Sequence, residues 1–269
     1  MMAQRTQSPS SINVFNQCPR RYFYQYILKL ATKGSIHLVR GNVAHQVLED
    51  FYKLNIENVD EKSYEFVLRL LILDMLNQEW IKAKPKFDEL DLSEHDLKFY
   101  YNETKAMIEK YIENFIIKLK FEMEAKSFED AFKHLTPITE KHYQSEKHMV
   151  RGYVDAIYEW GDNVHILDYK TSKKDTMSSA YRLQLGIYAL LYLHEHGIKP
   201  KRVGINFLKF GEKYLEVDDT LIKEAEDMCF EIQEKTKTEE ISNYKKTITP
   251  LCKWSTGQCD FYEQCCKDE

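Results

Sequence analysis

RGYVDAIYEWGDNVHILDYKTSKK, residues 151–174, reads as a β-hairpin that carries two carboxylates and a lysine. Two alternating runs flank Gly161-Asp162, and a two-residue loop there sets Trp160 opposite Asn163 and, six residues from each side of the loop, Asp155 opposite Asp168. Side chains so placed lie roughly 5 Å apart, and like charges at that separation repel unless a cation lies between them. Lys170, two residues beyond Asp168, leaves the strand on the same face. Hard oxygen ligands beside an ammonium group are what metal-assisted phosphodiester hydrolysis requires, so these residues point to a metal-dependent nuclease.

The rest of the chain is compatible with that reading. At 269 residues with 43% hydrophobic content, it can bury a substantial core. The net charge of −5 argues against a broadly basic nucleic-acid-binding surface, so any DNA contact must come from local basic groups and metal. The longest apolar run, Tyr188 to Leu193, is far too short to span a bilayer, and a soluble cytoplasmic protein is expected. Five of the six cysteines lie near the ends of the chain, at Cys18, Cys252, Cys259, Cys265 and Cys266. In a cytosolic setting this grouping suggests metal rather than disulfides. The spacing C-x6-C-x5-C with a distant Cys18 suits either an iron–sulfur cluster or a zinc ion, and either would join the two ends. Cys229 falls in a helical pattern and reads as packing.

Periodicity divides the chain into helical and strand-rich parts. Ser8-Pro9 opens a first helix that breaks near Cys18-Pro19 before the aromatic RRYFYQYIL. GNVAHQVLEDFYKLN places Val43, Ala44, Val47, Leu48 and Phe51 at helical spacing, with His45 on a neighbouring stripe. Residues 62–83 and 93–124 are also helical in pattern and form an inserted helical lobe. Strands are expected at 138–147, 150–160 and 163–170, then a helix from Ser178 or Ser179 to Gly197. Strands near 201–208 and 213–217 and a helix over 219–236 complete an α/β core with a mixed sheet. The resulting division is 1–50 for the N-terminal helices, 51–135 for the lobe, 136–240 for the core and 241–269 for a cysteine-bearing tail.

Taken together, SPSSINVFNQCPRRYFY, GNVAH, RGYVDAI, LDYK, QLGIY and the closing cysteines resemble the PD-(D/E)XK nuclease superfamily. The likeness is to its RecB-like branch, which includes the AddB nuclease domain and the iron–sulfur nucleases of CRISPR adaptation. The resemblance implies a restriction-endonuclease-like mixed sheet flanked by helices, with a C-terminal iron–sulfur region. It implies that His45, Asp155 and Asp168 bind Mg2+ or Mn2+, joined by the Tyr169 carbonyl, and that Lys170 orients the attacking water. Gln184 and Tyr188 match a Q-x-x-x-Y element that contacts DNA or orders the catalytic groups. Cys18, Cys252, Cys259 and Cys265 correspond to 4Fe-4S ligands, with Cys266 the alternative to Cys265.

One departure stands out: relatives commonly show C-x2-C-x5-C, so the loop after Cys252 is extended by four residues. With the long helical insertion, this favours a general RecB-like exonuclease acting in DNA processing or repair over one devoted to CRISPR adaptation. A histidine ligand favours Mn2+ over Mg2+. The expected substrate is DNA, single strands in particular, with a helicase or other DNA-processing protein as partner. A non-catalytic DNA-binding or scaffold protein of the same fold is the alternative.

Overall fold

The computed structural model describes residues 5–57, 59–255 and 257–268. The chain begins with α1 (Pro9–Gln17), whose N-terminus is closed by a reciprocal pair of bonds between Ser8 and Ser11. After a break at Cys18 come α2 (Pro19–Tyr22), a π-helical turn over Phe23–Ile27, and α3 (Ile36–Phe51), capped by Ser35. The lobe follows as α4 (Tyr64–Lys82), α5 (Lys84–Asp88), α6 (Glu94–Met123) and α7 (Phe128–Leu135).

Three strands succeed it, β1 (Ile138–Ser145), β2 (Val150–Trp160) and β3 (Asn163–Lys170). They lead into α8 (Ser179–His196), β4 (Arg202–Phe207), β5 (Gly211–Glu216) and α9 (Asp219–Lys235). The chain closes with two-residue strands β6 (Lys253–Trp254) and β7 (Gly257–Gln258) and the short α10 (Tyr262–Lys267). The expected strand boundaries differ mainly in β1, which ends at Ser145 rather than at 147. Helix α7 was not foreseen.

The five-stranded sheet runs β1-β2-β3-β4-β5. It is antiparallel except between β3 and β4, which are joined by the crossover helix α8 and lie parallel. Between β2 and β3 the pairing is as expected, from Trp160 opposite Asn163 to Ala156 opposite Leu167. Gly161 takes φ 63° in the turn, a conformation that a side chain would strain. The paired register stops at Ala156 and Leu167, one step short of Asp155 and Asp168, and beyond it Asp155 Oδ2 accepts from the Tyr169 N–H.

The sheet separates two cores. On one face Val164 and Ile166 of β3 pack with Leu185, Ala189 and Leu190 of α8 and with the N-terminal helices. On the other, Leu167 and Tyr169 join α3 and the lobe, including Phe51, Leu68, Ile112 and Phe115. Strand β3 is therefore apolar on both faces, as a central strand must be, and Asp168 is a charged residue placed inside that run.

Candidate active site

Asp155, Asp168, Lys170, Gln184, Tyr188, His45 and Tyr169 converge where the carboxyl end of β3 meets α3 and α8. His45, from α3, directs Nε2 at the Tyr169 carbonyl, 2.9 Å away, and Nδ1 at Asp155 Oδ2, 3.4 Å away. With Nε2–H donated to the carbonyl, the Nδ1 lone pair faces the carboxylate side, the orientation that a metal-binding imidazole needs. The Tyr169 N–H donates to Asp155 Oδ2 at 2.7 Å, so the same residue anchors both groups through its backbone.

Asp168 is 1% exposed. Gln184 Nε2 donates to its Oδ1 at 2.7 Å and lies 2.9 Å from the Tyr188 hydroxyl, so the four-residue spacing of Gln184 and Tyr188 serves one hydrogen-bonded chain. Its Oδ2 faces the Lys170 ammonium at 2.6 Å and has no well-formed hydrogen bond. A buried carboxylate oxygen left this way is a natural acceptor for a further cation.

The electrostatics separate the two carboxyls. Burial pushes Asp168 up to about 6, against the pull of Lys170 and with added repulsion from Asp155. Burial also disfavours the Asp155 charge, but the adjacent His45 and the Tyr169 N–H overcome it and hold Asp155 below the usual range. His45 is raised: burial opposes its charge and Asp155 outweighs burial. Lys170 is raised as well, with Asp168 outweighing the cost of burial.

One site residue escaped the reading of the sequence. Glu140, in β1, brings a carboxylate oxygen within 4.8 Å of ligand atoms of both His45 and Asp155, and the three could share a metal ion. Asp168 stands outside that mutual distance. Glu140 has φ 48° in mid-strand, and the β1–β2 pairing passes from Thr139–Ala156 to Lys141–Val154 without a Glu140–Asp155 pair. The strained turn of backbone aims the side chain inward. Burial, followed by the Asp155 charge, raises its pKa. The donor set of imidazole and carboxylates fits Mn2+ or Mg2+.

A second constellation gathers at the chain ends. Cys18, Cys252, Cys259, Cys265 and Cys266 line one cavity of about 250 Å3, together with Arg20, Tyr24 and Lys246. In the segment that follows Cys252, β6 and β7 pair with Lys253 opposite Gln258, and Cys259 N–H donates to the Cys252 carbonyl at 2.9 Å. The pairing thus brings its flanking cysteines together. The Trp254 ring covers Gly257, where a Cβ would lie 2.9 Å from it. Among the described residues, no three cysteine sulfurs lie mutually within 4.8 Å. Cys266 is exposed, Cys265 half-buried, and Cys229 buried away from the cavity in α9.

Among the described residues, no helix is long and apolar enough to cross a membrane. The model of the PD-(D/E)XK nuclease superfamily matches residues 6–266. The B subunit of an ATP-dependent helicase/deoxyribonuclease from Clostridium botulinum strain Hall is 28% identical over 255 residues, covering 85% of this chain and 21% of that protein. The chain thus spans about a fifth of the length of such relatives. The CRISPR-associated exonuclease Cas4 of Francisella tularensis subsp. novicida is 28% identical over 128 residues, 45% of this chain and 59% of that protein. A candidate exonuclease from Eubacterium rectale superposes with a TM-score of 0.53 at 12% identity, over 93% of this chain and 86% of that one, a likeness of fold alone.

Proposed function

Because this chain belongs to the PD-(D/E)XK nuclease superfamily, in its RecB-like branch, we propose that it is a metal-dependent deoxyribonuclease, an exonuclease that prefers single strands. The observation that carries this reading is the buried Asp168–Lys170 pair, set beside His45, Glu140 and Asp155. His45 and the three carboxylates would hold Mg2+ or Mn2+, with the Tyr169 carbonyl available at the edge. When bound, the ion supplies Lewis acidity at the scissile phosphate and a lowered pKa for water.

The protein's own groups do the rest. Lys170 places a positive charge where the attacking water and the developing negative charge must sit. Asp168 holds that ammonium, and Gln184 holds Asp168, which orients the lysine before substrate arrives. Tyr188 braces Gln184 and confines it to that role.

Cys18, Cys252, Cys259 and Cys265 would carry a 4Fe-4S cluster that ties the chain ends together, a reading supported by the cavity that they line together. The name of the clostridial relative pairs a helicase with a deoxyribonuclease, which makes a helicase the proposed partner. Digestion of end-labelled single- and double-stranded DNA with Mn2+ or Mg2+, with Asp168→Ala as control, tests the activity and the strand preference. No metal-dependent cleavage by the wild type, or equal cleavage by the variant, would sink the assignment.

A further inference from the structure

Arg40 is 1% exposed, and an arginine is seldom buried so fully without a task. Its guanidinium reaches three parts of the fold. Nη1 pairs with Glu103 of α6, Nη2 donates to the Thr171 carbonyl at 3.1 Å, and the Tyr100 ring lies 5.3 Å from Cζ. The second oxygen of Glu103 is held by Lys209, in the turn between β4 and β5. Lys110 of α6 donates in turn to the Lys209 carbonyl at 2.8 Å.

The two ends of this network matter for the site. Arg40 belongs to the same helix as His45, and Thr171 follows Lys170 directly. One rigid fork therefore sets the distance between the helix that carries the imidazole and the strand end that carries the lysine. Glu103 locks that fork to the long helix of the lobe. A guanidinium holds a carboxylate and a carbonyl through a rigid planar fork, whereas an ammonium offers three rotatable donors on a flexible stem and fixes their relative directions less well.

We propose that Arg40 is a positioning residue that fixes Lys170 relative to His45 and couples the helical lobe to cleavage. This rests on the nuclease reading. Arg40→Lys separates positioning from charge balance, because it keeps a cation beside Glu103 and so preserves the fold, yet loosens the simultaneous hold on Thr171. Glu103→Gln keeps the shape and an acceptor while releasing the charge-assisted grip of the fork.

The test measures three quantities on the wild type and both variants: the melting temperature, Mn2+ affinity by calorimetry, and the rate of single-strand cleavage at saturating and limiting DNA. Misplacement of a catalytic group by an ångström costs up to about 100-fold, so Arg40→Lys should lose at least about tenfold in kcat. Its Mn2+ affinity and KM should stay close to wild type, and Glu103→Gln should move in the same direction. An Arg40→Lys protein that cleaves as fast as wild type overturns the inference, as does a rate loss fully matched by weaker Mn2+ binding. If the wild type cleaves nothing, the nuclease reading fails and takes this inference with it; an active wild type with an equally active Arg40→Lys sinks the inference alone.

Discussion

The carboxylate site and the cysteine cavity are built in opposite ways. The first is held by long elements: β2, β3, α3 and α8 carry its side chains, the Tyr169 N–H and the Gln184 amide donate to Asp155 and Asp168, and the Tyr169 carbonyl meets the His45 ring, all before any ion is present. The second is assembled from a break between helices, a hairpin of two-residue strands and a six-residue helix, with its thiols half-buried or exposed. Few apolar side chains support it, chiefly Phe261 against Tyr24 at 5.5 Å, along with the bond from Arg20 to the Tyr244 carbonyl at 2.8 Å. A site made by the fold tolerates the loss of its ion; a site that makes part of the fold does not.

The largest effect should therefore come from the thiols. Cys18→Ala, Cys252→Ala and Cys259→Ala should each lose iron and brown colour and destabilise the protein by several kcal/mol, about what a structural metal group contributes. Limited proteolysis should then cut within residues 245–268 first. Removing Mn2+ or Mg2+ with a chelator should leave the melting temperature nearly unchanged. Cys229→Ala should keep the iron, because that thiol lies in α9 and burial pushes it up to about 12, far from a ready ligand. Of the doublet, Cys265→Ala should bleach the protein and Cys266→Ala should not. If the chelator melts the protein as readily as loss of a thiol, the contrast between the two regions is wrong.

Next comes catalysis without unfolding. Asp168→Ala should lower the cleavage rate on the order of 10²- to 10³-fold, the scale of losing a preorganised charged group, with circular dichroism unchanged. Loss of fold together with activity would show the carboxylate site to be as structural as the cysteine cavity.

Glu140 gives a finer test, because stability and metal binding should move in opposite directions. Its left-handed backbone costs a side chain roughly 1–2 kcal/mol, which glycine does not incur, although glycine gives part of this back through unfolded-state entropy. Glu140→Gly should therefore raise the metal-free melting temperature slightly while weakening Mn2+ binding about tenfold. A variant that binds Mn2+ as wild type does would remove Glu140 from the ion's surroundings.

How much of this could be read in advance depended on how local the determinants are. The β2–β3 register follows from Gly161-Asp162, and α8 from Ser178 and Gly197, all within a few residues of what they control. The convergence of Asp155, Asp168, Lys170, Gln184 and Tyr188 rests on those two elements together with the crossover. Glu140 could not be read: nothing in ITEKHYQS marks a positive φ or the break in the β1–β2 pairing beside it. The β6–β7 hairpin was hidden for a similar reason, since two-residue strands leave no periodicity. Arg40 drew no reading at all, because Glu103 and Thr171 lie 63 and 131 residues away. Even α3, whose pattern was plain, did not disclose that its Val47, Leu48 and Phe51 pack into the core of the lobe.

The smallest effect concerns acid, and the group that drives it lies in neither region, while the raised Asp168 and His45 of the carboxylate site oppose it over the same window. His165 lies on the lobe face of β3, 6% exposed, with Arg202 Nε donating to its Nε2 at 2.9 Å. Burial, then Arg202 and Lys201, lowers its pKa to about 4, so the folded protein keeps it neutral while the unfolded chain titrates near about 6.5. The stability that this neutral form contributes is complete above about 6.5 and falls as pH drops toward about 4, because only the unfolded state gains the proton across that window. A loss on the order of 1 kcal/mol is expected between neutral pH and the lower end, once partial solvent screening is allowed for. His165→Gln keeps an acceptor for Arg202 and should flatten much of the slope, leaving a remainder from His148, which burial also lowers. Melting temperatures from pH 7 to pH 4.5 for the wild type, His165→Gln and the chelator-treated protein decide the matter. If chelation flattens the acid slope and His165→Gln does not, the carboxylate site is less self-supporting than its hydrogen bonds imply.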